Sequence, residues 1–296
     1  MSYILQKSKA DKTVDAAMYV VLGLFALATL FPLYYVIVMS VTPFVEVLRN
    51  GGFVIFPGKL TFAAYREILS SPRIPQALQV SVTVTAIGTA LNLFVTTLLA
   101  YPLSKRFVPG RNAILMALVF TMLFNGGLIP TYLVVRGIGL YDTIWAMIVP
   151  GMVSTFNLLV MKTYFENLPQ ELEEAAKVDG CGDVTTLYRI VLPLSMPIMA
   201  TLGLFYGVTH WNDYFKGIMY LTDKTLYPIQ VVLRGMIQSP NVSQELQAIN
   251  TMELAQLPPE TVKMATVVVA IIPILIVYPF LQKYFVKGML IGAVKG

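Results

Sequence analysis

Residues 16–41, AAMYVVLGLFALATLFPLYYVIVMSV, run without one charged side chain. About 20 apolar residues carry an α-helix across the hydrocarbon core of a bilayer, and no other feature of this chain limits its fold so strongly. Comparable stretches recur, so the sequence predicts six spans at about 15–41, 77–102, 112–135, 143–163, 190–211 and 263–284. In lipid the backbone must satisfy its own hydrogen bonds, which leaves helices or closed barrels. The runs are continuous rather than alternating, which disfavours a barrel. The expected fold is therefore an all-α polytopic membrane protein. Charged residues are only 12% of the chain, about half the share usual in soluble domains, in keeping with that class.

The N-terminus, MSYILQKSKADK, is basic and leads into the first apolar run, as a signal peptide would. That run is too long for a signal-peptide core, so it is read as an uncleaved first span. Residues 1–14 then form a cytoplasmic N-terminal segment, 15–284 one transmembrane domain, and 285–296 a cytoplasmic tail. With the N-terminus inside, twelve of the Lys and Arg residues fall on inner segments, among them Lys105, Arg106, Arg111, Lys162 and Lys177. The remaining nine fall on longer outer segments, so the inner density is higher and both termini are assigned to the cytoplasm. This bias accounts for the net charge of +5 and removes any need to invoke nucleic acid. Trp145 and Trp211 fall at predicted outer membrane edges, where indoles prefer to sit.

Two outer stretches carry local signals. In FPGKLTFAAYREILSS, residues Leu60, Ala63, Ala64 and Ile68 have the spacing of a short surface helix. LYPIQVVLRGM is apolar enough to tuck against the outer membrane face, and SPNVSQELQAINTMELAQLPPE reads as a polar loop. No ionisable residue lies in the middle of a predicted span, which argues against an ion-driven carrier. No phosphate-binding G-x-x-x-x-G-K-[ST] loop occurs either. The single cysteine, Cys181, and single histidine, His210, offer neither a disulfide nor metal-ligand spacing. They offer little to a membrane-embedded enzyme. If the chain moves a solute uphill, its energy comes from a partner.

The connection between the fourth and fifth spans, 164–189, is unusually charged for such a chain and lies on the inner side. Pro169 suits a first helical position, and Glu171, Glu173 and Glu174 complement the positive end of a helix dipole. Glu173 and Lys177 are spaced as a helix-surface ion pair, and Gly180 suits the left-handed residue after a helix. Residues 169–179 thus read as a short helix, with Leu172, Ala175, Ala176 and Asp179 on one stripe and Glu171, Glu174 and Val178 on another. A second short helix at about 183–190 follows, and Pro193 and Pro197 open the next span. From the residues alone, a partner-docking knob and an ordinary charged loop are equally good readings.

Glu174, Ala175, Ala176, Gly180, Ile190, Leu192 and Pro193 match E-A-A-x3-G-x9-I-x-L-P, the signature of ABC importer permeases. Cys181 departs from the alanine common there, a small change in a small side chain. WNDYFKGIMYL and LQKYFVKGMLIGAVKG resemble carbohydrate-uptake permeases similar to the smaller maltose-permease subunit. FNGGLIPTYLVVRGIGLYDTIWAMIVP resembles a branch for complex oligosaccharides, alginate-type importers included. The resemblance implies the type I ABC importer permease fold in a bacterial inner membrane. It also implies a second permease subunit, most often a different protein, two ATPase subunits that bind and hydrolyse ATP with Mg²⁺, and an extracytoplasmic solute-binding protein. No cofactor is expected on this chain. Leu172, Glu174, Ala175, Ala176, Asp179 and Gly180 become the ATPase-coupling residues, so Ala176→Arg is expected to uncouple hydrolysis from uptake. Lys287, Gly288 and Gly292 in the tail are expected near the same ATPases.

Sugars are held by amides, hydroxyls and carboxylates with aromatic faces against the ring. Asn92, Asn125 and Asn157 within the spans, and a polar-aromatic group of Tyr206, His210, Trp211, Asn212, Asp213 and Tyr214 near the outer end of the fifth, are the candidates for the substrate pathway. Intramembrane asparagines also join helices to one another, and Trp211 also suits an interfacial anchor. An importer for a non-sugar solute shares the coupling signature, and sodium coupling through carbonyls remains the further alternative.

Overall fold

The computed structural model describes residues 9–238 and 259–293, with some side chains in that range left out. The expected polar loop at 239–260 falls almost wholly outside these residues, as do 1–8 and the last three. Among the described residues every regular element is helical. In order they are α1 (Lys9–Ser40), α2 (Phe44–Arg49), α3 (Ala63–Ser70), α4 (Arg73–Ser104), α5 (Arg111–Leu123), α6 (Leu128–Gly137) and α7 (Trp145–Ile148). There follow α8 (Thr155–Glu166), α9 (Gln170–Val178), α10 (Asp183–Thr186), α11 (Leu192–Leu194), α12 (Met196–Asn212), α13 (Phe215–Tyr220), α14 (Ile229–Gln238) and α15 (Pro259–Ala293). A π-helical segment, Leu187–Val191, joins α10 to α11.

Among the described residues three helices, within α1, α4 and α15, are long and apolar enough to cross a bilayer unaided. Three bent pairs bring the number to as many as six: α5 with α6 at 117°, α7 and its extension with α8 at 53°, and α10–α11 with α12 at 82°. The sequence reading treats 112–135, 143–163 and 190–211 as unbroken, because apolarity does not register a bend. The breaks have local causes. Gly127 adopts φ +87° between α5 and α6, and Asn125 Oδ1 accepts its N–H at 2.9 Å. Pro150 and Gly151 precede the second break, and Pro193 and Pro197 flank the third. Proline lacks the N–H that a continuous helix needs.

The chain divides into two compact units, residues 1–71 with 239–269, and 72–238 with 270–296. In the first, Tyr35, Val38, Met39, Val47, Val54 and Met264 pack together, and the most apolar window of α1 is not buried by this chain at all. Ala64 and Ile68 of the expected surface helix are buried, whereas Leu60 and Ala63 are exposed. In the second unit α4 is the spine, packed along α8 and α12. Ala100, Tyr101, Met161, Phe165, Leu187, Val191 and Leu202 form its core near one end. Val84, Met147, Ile148 and Leu221 form a second cluster. α15 continues well past residue 284, so most of the expected tail is helical backbone; the side chains of Lys287, Gly288 and Gly292 lie outside the described residues.

Candidate functional site

The charged connection folds into α9, one residue shorter at each end than the sequence predicts. Pro169 precedes the first turn with an extended ψ of 125° rather than occupying it. Gly180 takes φ +77°, and Cys181 N–H donates to Ala176 O at 2.9 Å while Gly180 N–H donates to Lys177 O at 3.0 Å. That pair of bonds is a Schellman closure, which satisfies carbonyls that the helix end would otherwise orphan.

The two faces of α9 differ from the predicted stripes. Ala176 is turned into the chain and only 3% exposed, so it leaves the stripe of Leu172, Ala175 and Asp179. Val178 points outward at 87% exposure, beside exposed Glu171, Leu172, Glu174, Ala175 and Asp179. The Glu173–Lys177 pair predicted along the helix gives way to tertiary partners. Glu173 pairs with Lys105 on the α4–α5 connection, and Lys177 lies over the Phe107 ring at 5.6 Å. Ala176 is buried and Glu173 half-buried, which turns this side of the helix towards the α4–α5 connection. Sequence reasoning missed Lys105 and Arg111 as site residues, although the basic run KRFVPGR marked the place.

The polar residues of the spans separate into two groups. Asn92, Asn157, Tyr206 and Trp211 are buried inside the chain. Asn92 Nδ2 donates to Gly151 O at 2.9 Å, and its Oδ1 lies 3.2 Å from His210 Nε2, which therefore carries the hydrogen. Tyr206 Oη accepts the N–H of Ser154 at 3.3 Å and lies 2.8 Å from Thr96 Oγ1. Gly151 and Ser154 bracket the break between α7 and α8. Backbone exposed at a break within lipid needs partners, and here α4 and α12 supply them. Trp211 donates its indole N–H to Ala270 O at 3.2 Å, a helix–helix tie rather than an interfacial anchor. His210, grouped from the sequence with the polar and aromatic residues near the outer end of the fifth span, joins this network through Asn92.

The second group is more open. Asn125 and Asn212 are exposed, and Asp213 and Tyr214 are half-buried. Asp213 takes an ion pair from Lys216 at 2.7 Å, and Tyr214 lies beneath the Arg234 guanidinium at 4.3 Å. Asn125 and Lys216 share a groove of about 310 Å³ with Thr131, Phe215 and Tyr220. Thus Asn125 is brought towards the segment after the fifth span, in a groove that Asn92 and Tyr206 do not line. Beyond it, Asp142 adopts φ +59° and accepts the N–H groups of Thr222 and Asp223 at 2.7 and 2.9 Å. The N–H and hydroxyl of Thr225 hold the exposed Asp223 carboxyl below its usual range. Among the described residues no three His, Cys, Asp or Glu side chains converge as a metal site.

Residues 79–291 match the family model described as binding-protein-dependent transport system inner membrane component. Over 296 residues the chain is 45% identical to protein LplC of Bacillus subtilis, covering 99% of each. It is 46% identical over 288 residues to the polygalacturonan/rhamnogalacturonan transport system permease protein YtcP of the same organism, covering 97% of this chain and 99% of that one. Among solved structures, a chain of a bacterial ABC transporter involved in the import of the acidic polysaccharide alginate superposes with a TM-score of 0.87. That chain is 32% identical, and the match covers 94% of the present chain and 99% of its counterpart.

Proposed function

The chain belongs to the family of binding-protein-dependent transport system inner membrane components, and from that premise we propose how it imports its substrate. It is the permease subunit of a sugar or oligosaccharide ABC transporter, embedded in the membrane, and works with an ATPase, a binding protein and a second permease. Our reading gives it half of the translocation pathway in a heterodimer, in a bacterial inner membrane with both termini cytoplasmic. Two partner ATPases bind ATP and Mg²⁺. The binding protein delivers an acidic oligosaccharide, a class that the names of a 46% identical relative and of a structural neighbour support.

The observation that carries the coupling mechanism is the outward face of α9, where Val178 stands exposed among Leu172, Glu174, Ala175 and Asp179. An apolar side chain in water beside small residues and carboxylates fits a partner cleft with an apolar floor and basic rim. Gly180 ends the helix so that this face stands clear. Ala176 supports it from behind. Closure of the ATPases moves α9, and the pathway changes from inward-open to outward-open. Asn125, Asn212, Asp213 and Tyr214 are kept as pathway residues. Asn92, Asn157, Tyr206 and Trp211 are given the supporting role that their burial favours.

The experiment is uptake by vesicles holding both permeases and the ATPases, with binding protein outside and ATP inside. A galacturonate trisaccharide is expected to enter, and an arabinose trisaccharide to enter far less. Uptake driven by a sodium gradient without ATPase would overturn the mechanism, and preference for the neutral sugar would overturn the substrate class.

A further inference from the structure

We propose that Lys105 and Arg111, at the two ends of the α4–α5 connection, are positioning residues that tie the coupling helix to the inner ends of α4, α5 and α8. The proposal rests on the reading of α9 as the helix that meets the ATPase.

Lys105 follows the last residue of α4, where the chain turns extended, and its ammonium lies 4.7 Å over the Tyr101 ring. From there it reaches the Glu173 carboxylate, and both side chains are largely shielded from water. Two residues on, Phe107 lies beneath Lys177, so the connection meets α9 twice. Arg111 opens α5. Its Nε donates to Leu103 O at 2.8 Å, near the end of α4, and its Nη2 reaches Glu166. Glu166 is the last residue of α8, where a carboxylate opposes the negative end of the helix dipole. Lys162 at 2.7 Å and Arg111 offset that charge together. Partly buried pairs of this kind are screened far less than surface ones.

One short connection thus joins α9 to the ends of α4, α5 and α8. A displacement of α9 then passes to the three helices at once instead of being absorbed by a loose loop. Surface charges kept for solubility would not explain why each of these five ionic groups has a partner on another element or across a helix turn.

The test is a double-mutant cycle on the reconstituted complex, with Lys105→Met and Glu173→Gln made singly and together. Three quantities are read: ATPase retained on purification, stimulation of ATP hydrolysis by the binding protein, and galacturonate trisaccharide taken up per ATP. The ATPase is expected to stay bound while uptake per ATP falls about fivefold in either single variant, the scale of an ordinary coupling energy. The combined variant is expected to fall no further, and Lys105→Arg to keep most of the ratio. An unchanged ratio in Lys105→Met, or a combined loss equal to the product of the two single losses, would overturn the tie. Val178→Arg separates the two levels. If it leaves ATPase retention and uptake intact, the reading of α9 itself fails; if it releases the ATPase while Lys105→Met changes nothing, only the tie fails.

Discussion

Gly88 of α4 lies so close beneath His210 of α12 that a β-carbon there would stand 2.6 Å from the imidazole Nε2. The missing side chain lets the imidazole reach Asn92 and lets two central helices approach. Gly88→Ala is expected to push His210 from its place and lower stability by about 1–3 kcal/mol, the usual cost of an overfilled core. Thermal unfolding in detergent measures it, and an unchanged midpoint would mean the helices part freely.

Asn92 and Tyr206 hold the broken helix at Gly151 and Ser154. Asn92→Leu and Tyr206→Phe are each expected to cost about 1 kcal/mol, near the upper range for polar ties between helices in a membrane. Both are expected to leave the affinity for sugar unchanged in equilibrium binding to the complex. A selective loss of sugar affinity with normal stability would return them to the pathway.

Ala175 and Ala176 are neighbours with opposite surroundings, one exposed and one buried. Ala175→Arg is expected to leave the chain folded and abolish ATPase retention. Ala176→Arg must bury a guanidinium against its own chain, so it is expected to reduce the amount of folded protein rather than only uncouple hydrolysis. Size-exclusion profiles and ATPase co-purification distinguish the two.

Gly180→Ala forces a side chain into φ +77°. The left-handed conformation costs other residues about 1–2 kcal/mol. Fraying of α9 is expected, read as faster hydrogen exchange at Asp179–Cys181 with little change in α4.

The helical class and the approximate places of the spans were legible because lipid demands long apolar runs. The bends were not, since Pro150, Gly151 and Gly127 change direction without changing apolarity. The closure of α9 at Gly180 was legible from one glycine after a charged helix. Which of Ala175, Ala176 and Val178 faces outward was not, because that depends on Lys105 and Phe107, far away in sequence. Asn92 and Tyr206 looked like sugar ligands for the same reason that they serve a broken helix: both tasks need a polar group inside lipid.

The coupling role of α9 is tested most directly by cross-linking. Val178→Cys in a Cys181→Ala background places the single thiol of the chain on the outward face of the helix. In membranes containing the whole complex, a thiol-to-amine cross-linker is expected to join this position to the ATPase, while the exposed Phe56→Cys, assigned to the opposite side, gives no such product. Absence of an ATPase adduct from residue 178, in a complex that retains its ATPase and its uptake, would contradict the account.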